Sequence, residues 1–194
     1  MIFYPEPLPV PSGLDAPEFG LRPLTPAHVA LDYAALMASR EMLRLWSGSP
    51  WPADDFTLAD NEADLRWHWD EHQRRIAFTY TVLNPAQDAC LGCVYIKPNP
   101  YVAVSPAALV RFWVTEPYLE SRLDDRLLAA LLAWFRDEWA FAQVDFHTRW
   151  ANAPQIALCL RLGLPHTQTV TLPDRGGEHW LFTGTTDWSN LFVV

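Results

Sequence analysis

The residues able to do chemistry fall into a few groups. His68-Trp-Asp-Glu-His72 sets two imidazoles one helical turn apart with a carboxylate between them, a spacing that zinc hydrolases use. A third ligand would have to come from elsewhere, Glu138 being the helical acid at a suggestive distance. A stretch this rich in Trp and His also supplies the pattern from composition alone. Cys90-Leu-Gly-Cys93 is a CxxC pair on a strand-like segment. A three-residue offset in a regular strand sends the two thiols to opposite faces, so a chelate would need a bulge at Gly92. Neither motif is taken as a metal site. Glu116, His147 and Cys159 also carry ionisable side chains, and their plain readings are a solvated acid, an edge histidine and a small buried hydrophobe. Asp124-Asp125, with Arg122 and Arg126 beside them, opens a helical stretch, where backbone amides favour anions. Ser121 with Asp124 three residues later reads first as a helix cap with acids in the first turn.

The elements that must position these groups follow from periodicity. Residues 1–18 hold five prolines and read as an extended arm, with residues 19–194 as a single domain. Phe19 to Leu24 suits a strand, and Thr25-Pro26 opens a helix striped by Val29, Tyr33, Leu36, Met37, Leu43 and Trp46. A second helix fits 58–75. The alternating segments 77–83 and 90–96 pair as a hairpin, and 107–115 is an apolar strand interrupted only by Arg111. A third helix, 122–139, buries Leu123, Leu127, Leu131, Trp134 and Phe135. A strand at 143–148, a short helix at 153–162 stopped by Gly163 and a last hairpin at 167–172 and 179–183 complete the chain. The order β-α-α-β-β-β-α-β-α-β-β specifies an α/β fold with a mixed, mostly antiparallel sheet of about seven strands flanked by about four helices.

Composition excludes several classes. The 194 residues suit one domain, and half of them are hydrophobic. A net charge of −9 without a Lys/Arg tract argues against nucleic acid, because phosphate-backbone affinity needs clustered cations. No apolar run is long enough for a membrane span, and the start lacks the basic and apolar regions of a secretory signal. Three cysteines make no disulfide framework, so a reducing cytoplasm is expected. Ten tryptophans stand out. Trp46, Trp51, Trp67, Trp69, Trp134 and Trp139 could line an acceptor pocket, although core packing accounts for most of them.

Three local patterns, in order, resemble the GNAT superfamily of acyl-CoA-dependent N-acyltransferases. Asn152, Ile156, Leu158 and Leu162-Gly163-Leu164 match the family's fourth-helix region in spacing. Leu91-Gly92-Cys93-Val94-Tyr95-Ile96 is similar to its third strand, and Val110–Val114 followed by Pro117-Tyr118 and a Leu-rich helix to its fourth strand, cofactor loop and third helix. The resemblance spans about residues 19–185. It implies splayed fourth and fifth strands, with the pantetheine arm of acetyl-CoA along Phe112, Trp113 and Val114. The pyrophosphate would then lie near Leu119, Arg122, Leu123, Asp124 and Arg126, with Asn152 at the facing helix. An amine, on a small molecule or a peptide, would attack the thioester directly.

The loop departs from the family's pattern. Leu119, Arg122 and Asp124 occupy all three signature positions, and no glycine lies between Gly92 and Gly163. Cys159 stands where the family has its acid tyrosine, leaving Glu116 and His147 as base candidates. Two readings follow: an N-acyltransferase moving an acetyl or other acyl group from CoA to an amine, or a catalytically degenerate protein of this fold acting as a binding or interaction module. A monomer or homodimer is expected.

Overall fold

In the computed structural model, which describes residues 3–172 and 175–184, the strands are β1 (Leu14–Asp15), β2 (Gly20–Pro23), β3 (Phe78–Leu83), β4 (Cys90–Pro98), β5 (Ala107–Val114), β6 (Gln143–Arg149), β7 (His166–Leu172) and β8 (Arg175–Gly184). The helices are α1 (Val29–Ala38), α2 (Arg40–Ser47), α3 (Leu58–Gln73), α4 (Leu123–Glu138) and α5 (Ala153–Arg161). One sheet runs β1-β2-β3-β4-β5-β6-β8-β7. Its pairs are antiparallel apart from β5–β6, which the α4 crossover makes parallel.

β3 and β5 are buried along their whole length because both sheet faces are covered. On one face Tyr80, Val94, Ile96, Val110, Phe112 and Phe146 pack with Leu127, Leu131, Trp134 and Phe135 of α4. On the other, Leu36, Leu43 and Trp46 of α1 and α2 pack with Cys93 and Trp113. Tyr4 of the proline-rich arm is fully buried in the first of these cores, and its hydroxyl accepts the Ala140 N–H at 2.9 Å.

Two details depart from the sequence expectation. Among the described residues the sheet has eight strands, because residues 14–15 add a two-residue edge to β2. The helix expected to run unbroken to Trp46 divides at Ser39, giving five α-helices among the described residues. Ser39 is fully buried, and its Oγ accepts the Glu116 N–H at 3.0 Å from the turn that follows β5. That long-range bond gives the break a tertiary partner that local periodicity cannot show.

Candidate functional site

β5 and β6 pair only from Ala107↔Gln143 to Val110↔Phe146. Beyond that point β5 stays with β4 as far as Val114↔Gly92, while β6 follows β8 as far as Arg149↔His179. The two central strands therefore diverge. The carbonyl of Phe112 lies in the resulting gap, where the chain itself satisfies it. Trp46 Nε1 donates to this oxygen at 2.8 Å and Gln155 Nε2 at 3.0 Å. The Gln155 Oε1 in turn accepts from Thr148 Oγ1 and Asn152 Nδ2, each at 3.0 Å. One carboxamide thus links the β5 edge to β6. Asn152 is buried and caps α5, its Oδ1 accepting the Gln155 N–H.

The head of α4 carries the second part of the site. Its N-cap, Arg122, has a left-handed backbone (φ 57°), a conformation glycine adopts at much lower cost. Arg122 and Arg161 both engage the Asp125 carboxylate. Burial works against the charge of Asp125, but the Arg161 and Arg122 guanidiniums outweigh it and hold the carboxyl below its ordinary value. Asp124 moves the other way, raised first by burial and then by the charge of Asp125. Arg126 donates to the Ser121 carbonyl at 2.7 Å and pairs with Glu18. Leu123 is buried in the core and Leu119 packs partly against it.

On the α1–α3 side lies a cavity of about 770 Å³, walled by Trp46, Trp51, Trp67 and Tyr95 and carrying Asp64, His68, Lys97 and Arg111. Trp46 is the common wall of gap and cavity. The Arg111 guanidinium stacks on its ring, 3.7 Å from the centroid, and donates to its carbonyl at 2.7 Å. Asp64 is held above the ordinary carboxylate value by burial, against the pull of His68 and Lys97. The tryptophans thus divide by role: Trp134 and Trp139 are core, Trp51 and Trp67 line the cavity, and Trp46, buried in the second core, does both.

The three acid–base candidates sit in separate surroundings. Cys159 is sealed in the core, where burial pushes its thiol up to about 12. Glu116 is exposed in the turn after β5. His147 follows the last β6 residue paired to β5, and its Nδ1 lies 3.4 Å from Nδ1 of buried His179. His68 and His72 turn to different partners as well. His68 Nδ1 is 3.2 Å from Thr79 Oγ1, while His72 packs on Phe78 and Tyr80, where burial lowers it to about 4.

Sequence reasoning missed Asp64, Gln155 and Arg161. Gln155 is three residues after the helix-capping Asn152, and that position was the available signal. Asp64 and Arg161 carried none, because their roles come from contacts across the fold. Among the described residues no helix is long and apolar enough to cross a membrane.

The sequence matches the acetyltransferase (GNAT) domain over residues 18–165. Among curated proteins none matches. Among solved structures, RimL, a ribosomal α-N-protein acetyltransferase in complex with coenzyme A, superposes with TM-score 0.72 at 15% identity, covering 88% of this chain and 96% of its own. A ribosomal-protein-alanine acetyltransferase from Vibrio fischeri gives TM-score 0.72 at 15% identity, covering 90% and 97%. The microcin self-immunity acetyltransferase MccE, in complex with acetyl-CoA and AMP, gives 0.73 at 14% identity, covering 90% and 96%.

Proposed function

The chain belongs to the GNAT acetyltransferase family, and on that premise we propose that it transfers an acetyl group from acetyl-CoA to an amine held in the aromatic cavity. The observation that carries this is the divergence of β5 from β6 beyond Val110 and Phe146, which leaves the Phe112 carbonyl facing the gap, bonded there by the side chains of Gln155 and Trp46 rather than by a neighbouring strand. A cofactor arm with amide N–H groups suits that edge, as an added strand would. In this reading Phe112, Trp113 and Val114 receive the arm, and Asn152 lies across from it. Leu119, Arg122, Leu123, Asp124 and Arg126 form the loop for the diphosphate, with Arg161 as a further cation.

The cavity lies within the usual range for small-molecule sites, and its indole walls suit a cationic amine before deprotonation. Asp64 takes the amine proton, its raised value bringing it nearer to neutral pH. The amine nitrogen then attacks the thioester carbonyl carbon, a C–N bond forms as the C–S bond breaks, and the second proton shed by the nitrogen passes to the sulfur, which leaves as CoA thiol. The test is amine-dependent release of CoA thiol from acetyl-CoA across a panel of small amines and peptide N-termini. Acetyl-CoA binding without amine-dependent release by any acceptor would overturn it.

Two observations favour the second reading, a non-catalytic binding module. Gln155 and Trp46 already occupy the Phe112 carbonyl, and Asp125 already holds Arg122 and Arg161. A chain that fills its own cofactor contacts has less use for a cofactor.

A further inference from the structure

We propose that Asp32 of α1 and Cys90 and Cys93 of β4 form a zinc site, with a water as the fourth ligand. The register of β4 creates it. Val82 pairs with Gly92 but Leu83 pairs with Cys90, so Leu91 is an extra residue without a partner. This is a β-bulge, and it cancels the alternation that would send the two thiols of a regular CxxC strand to opposite faces. The ligand atoms of Asp32, Cys90 and Cys93 all lie within 4.8 Å of one another, and all three residues are buried.

The spacing suits zinc. Zn–S near 2.3 Å and Zn–O near 2.0 Å at tetrahedral angles place sulfur and oxygen about 3.5 Å apart. Cys93 Sγ donates to Asp32 Oδ1 at 3.4 Å, which is the hydrogen bond a metal would replace. Two thiolates with one carboxylate favour zinc over harder cations such as magnesium or calcium, which prefer all-oxygen shells.

The surrounding hydrogen bonds already have the form that orients metal ligands. Asn61 Nδ2 donates to Asp32 Oδ2 at 3.0 Å, and Thr81 Oγ1 donates to Cys90 Sγ at 3.5 Å. Asn61 is fully buried, and its Oδ1 has no hydrogen-bond partner. An orphaned acceptor on the carboxamide that touches Asp32 is the feature a metal-bound water would satisfy. Binding balances simply: each thiol releases its proton to solvent as its Zn–S bond forms. The ion would tie α1 and α3, through Asp32 and Asn61, to the strand that carries Tyr95 of the cavity wall.

The test uses the full chain, purified without chelators or a histidine tag. Elemental analysis should find one zinc per chain, and zinc should raise the melting temperature of the metal-stripped protein. Cobalt in place of zinc should give a thiolate-to-cobalt charge-transfer band that Cys90→Ser and Cys93→Ser each weaken and Cys159→Ser leaves intact. Circular dichroism confirms that each variant is folded. Should either serine variant fail to fold, titration of the wild-type protein with cobalt against a competing chelator decides alone. A folded wild-type chain with less than a tenth of an equivalent of zinc and no cobalt–thiolate band overturns the proposal. So does a band that survives Cys93→Ser unchanged.

Discussion

Gln155 Nε2 donates to the carbonyl of Phe112 at 3.0 Å, across the gap where the two central strands part. The acceptor is the one a strand-like cofactor arm would use, so Gln155 and an incoming arm compete for it. A net hydrogen bond is worth about 1 kcal/mol. Gln155→Ala is therefore expected to tighten acetyl-CoA binding about fivefold, read by titration calorimetry. A weakening would mean that Gln155 turns to hold the cofactor rather than vacating its place.

Asp125 is the internal anion of the α4 head. Its folded value is depressed, so the stabilisation it gives is present above the unfolded carboxylate value and is lost as pH falls through the folded one. Asp125→Asn should lower the melting temperature at neutral pH. It should also flatten the wild-type decline between about pH 5 and pH 2, a window set by ordinary carboxylate titration. The same variant releases Arg122 and Arg161, so CoA binding should strengthen and become more sensitive to salt. A melting curve that keeps its full acid dependence would show that Asp125 is not the group responsible.

Asp64 gives a kinetic test. Because burial raises it, the acid limb of kcat/KM should lie above the ordinary carboxylate value near 4. Asp64→Asn should remove that limb and reduce kcat by about 10²–10⁴, the usual yield of general base catalysis. Retention of the limb in the variant would place the proton transfer on another group.

Gly92 and Gly48 should respond differently to alanine. At Gly92 a Cβ would stand 2.0 Å from the Trp113 carbonyl oxygen, a backbone atom that cannot give way. Gly92→Ala should cost more than about 3 kcal/mol. At Gly48 the near atoms belong to the Arg149 guanidinium, which can swing aside, leaving mainly the left-handed φ of 71°. That cost is about 1–2 kcal/mol. Urea denaturation of both variants measures the contrast.

What could be read from the sequence was whatever lay in local pattern. The apolar runs of β3 and β5, the leucine stripe of α4 and the Asn152-to-Gly163 helix gave the order and the family resemblance. The break at Ser39 was hidden because its partner is the Glu116 N–H in a distant turn. The bulge at Leu91 was hidden because β4 is buried on both faces there, so a slip of register leaves the hydrophobic pattern unchanged. Arg122 stood out as a missing glycine, yet its backbone still takes the left-handed turn. The occupancy of the gap by Gln155 and Trp46 depends on side-chain reach across the fold, which spacing alone does not encode.

The central claim is that the gap between β5 and β6 receives acetyl-CoA, and titration calorimetry of the full chain with acetyl-CoA and with desulfo-CoA tests it most directly. Saturable one-to-one binding of both ligands, tightened by Gln155→Ala, is the predicted result. No heat with either ligand at millimolar concentration, in the wild-type chain and in Gln155→Ala alike, would contradict it and leave the binding-module reading standing.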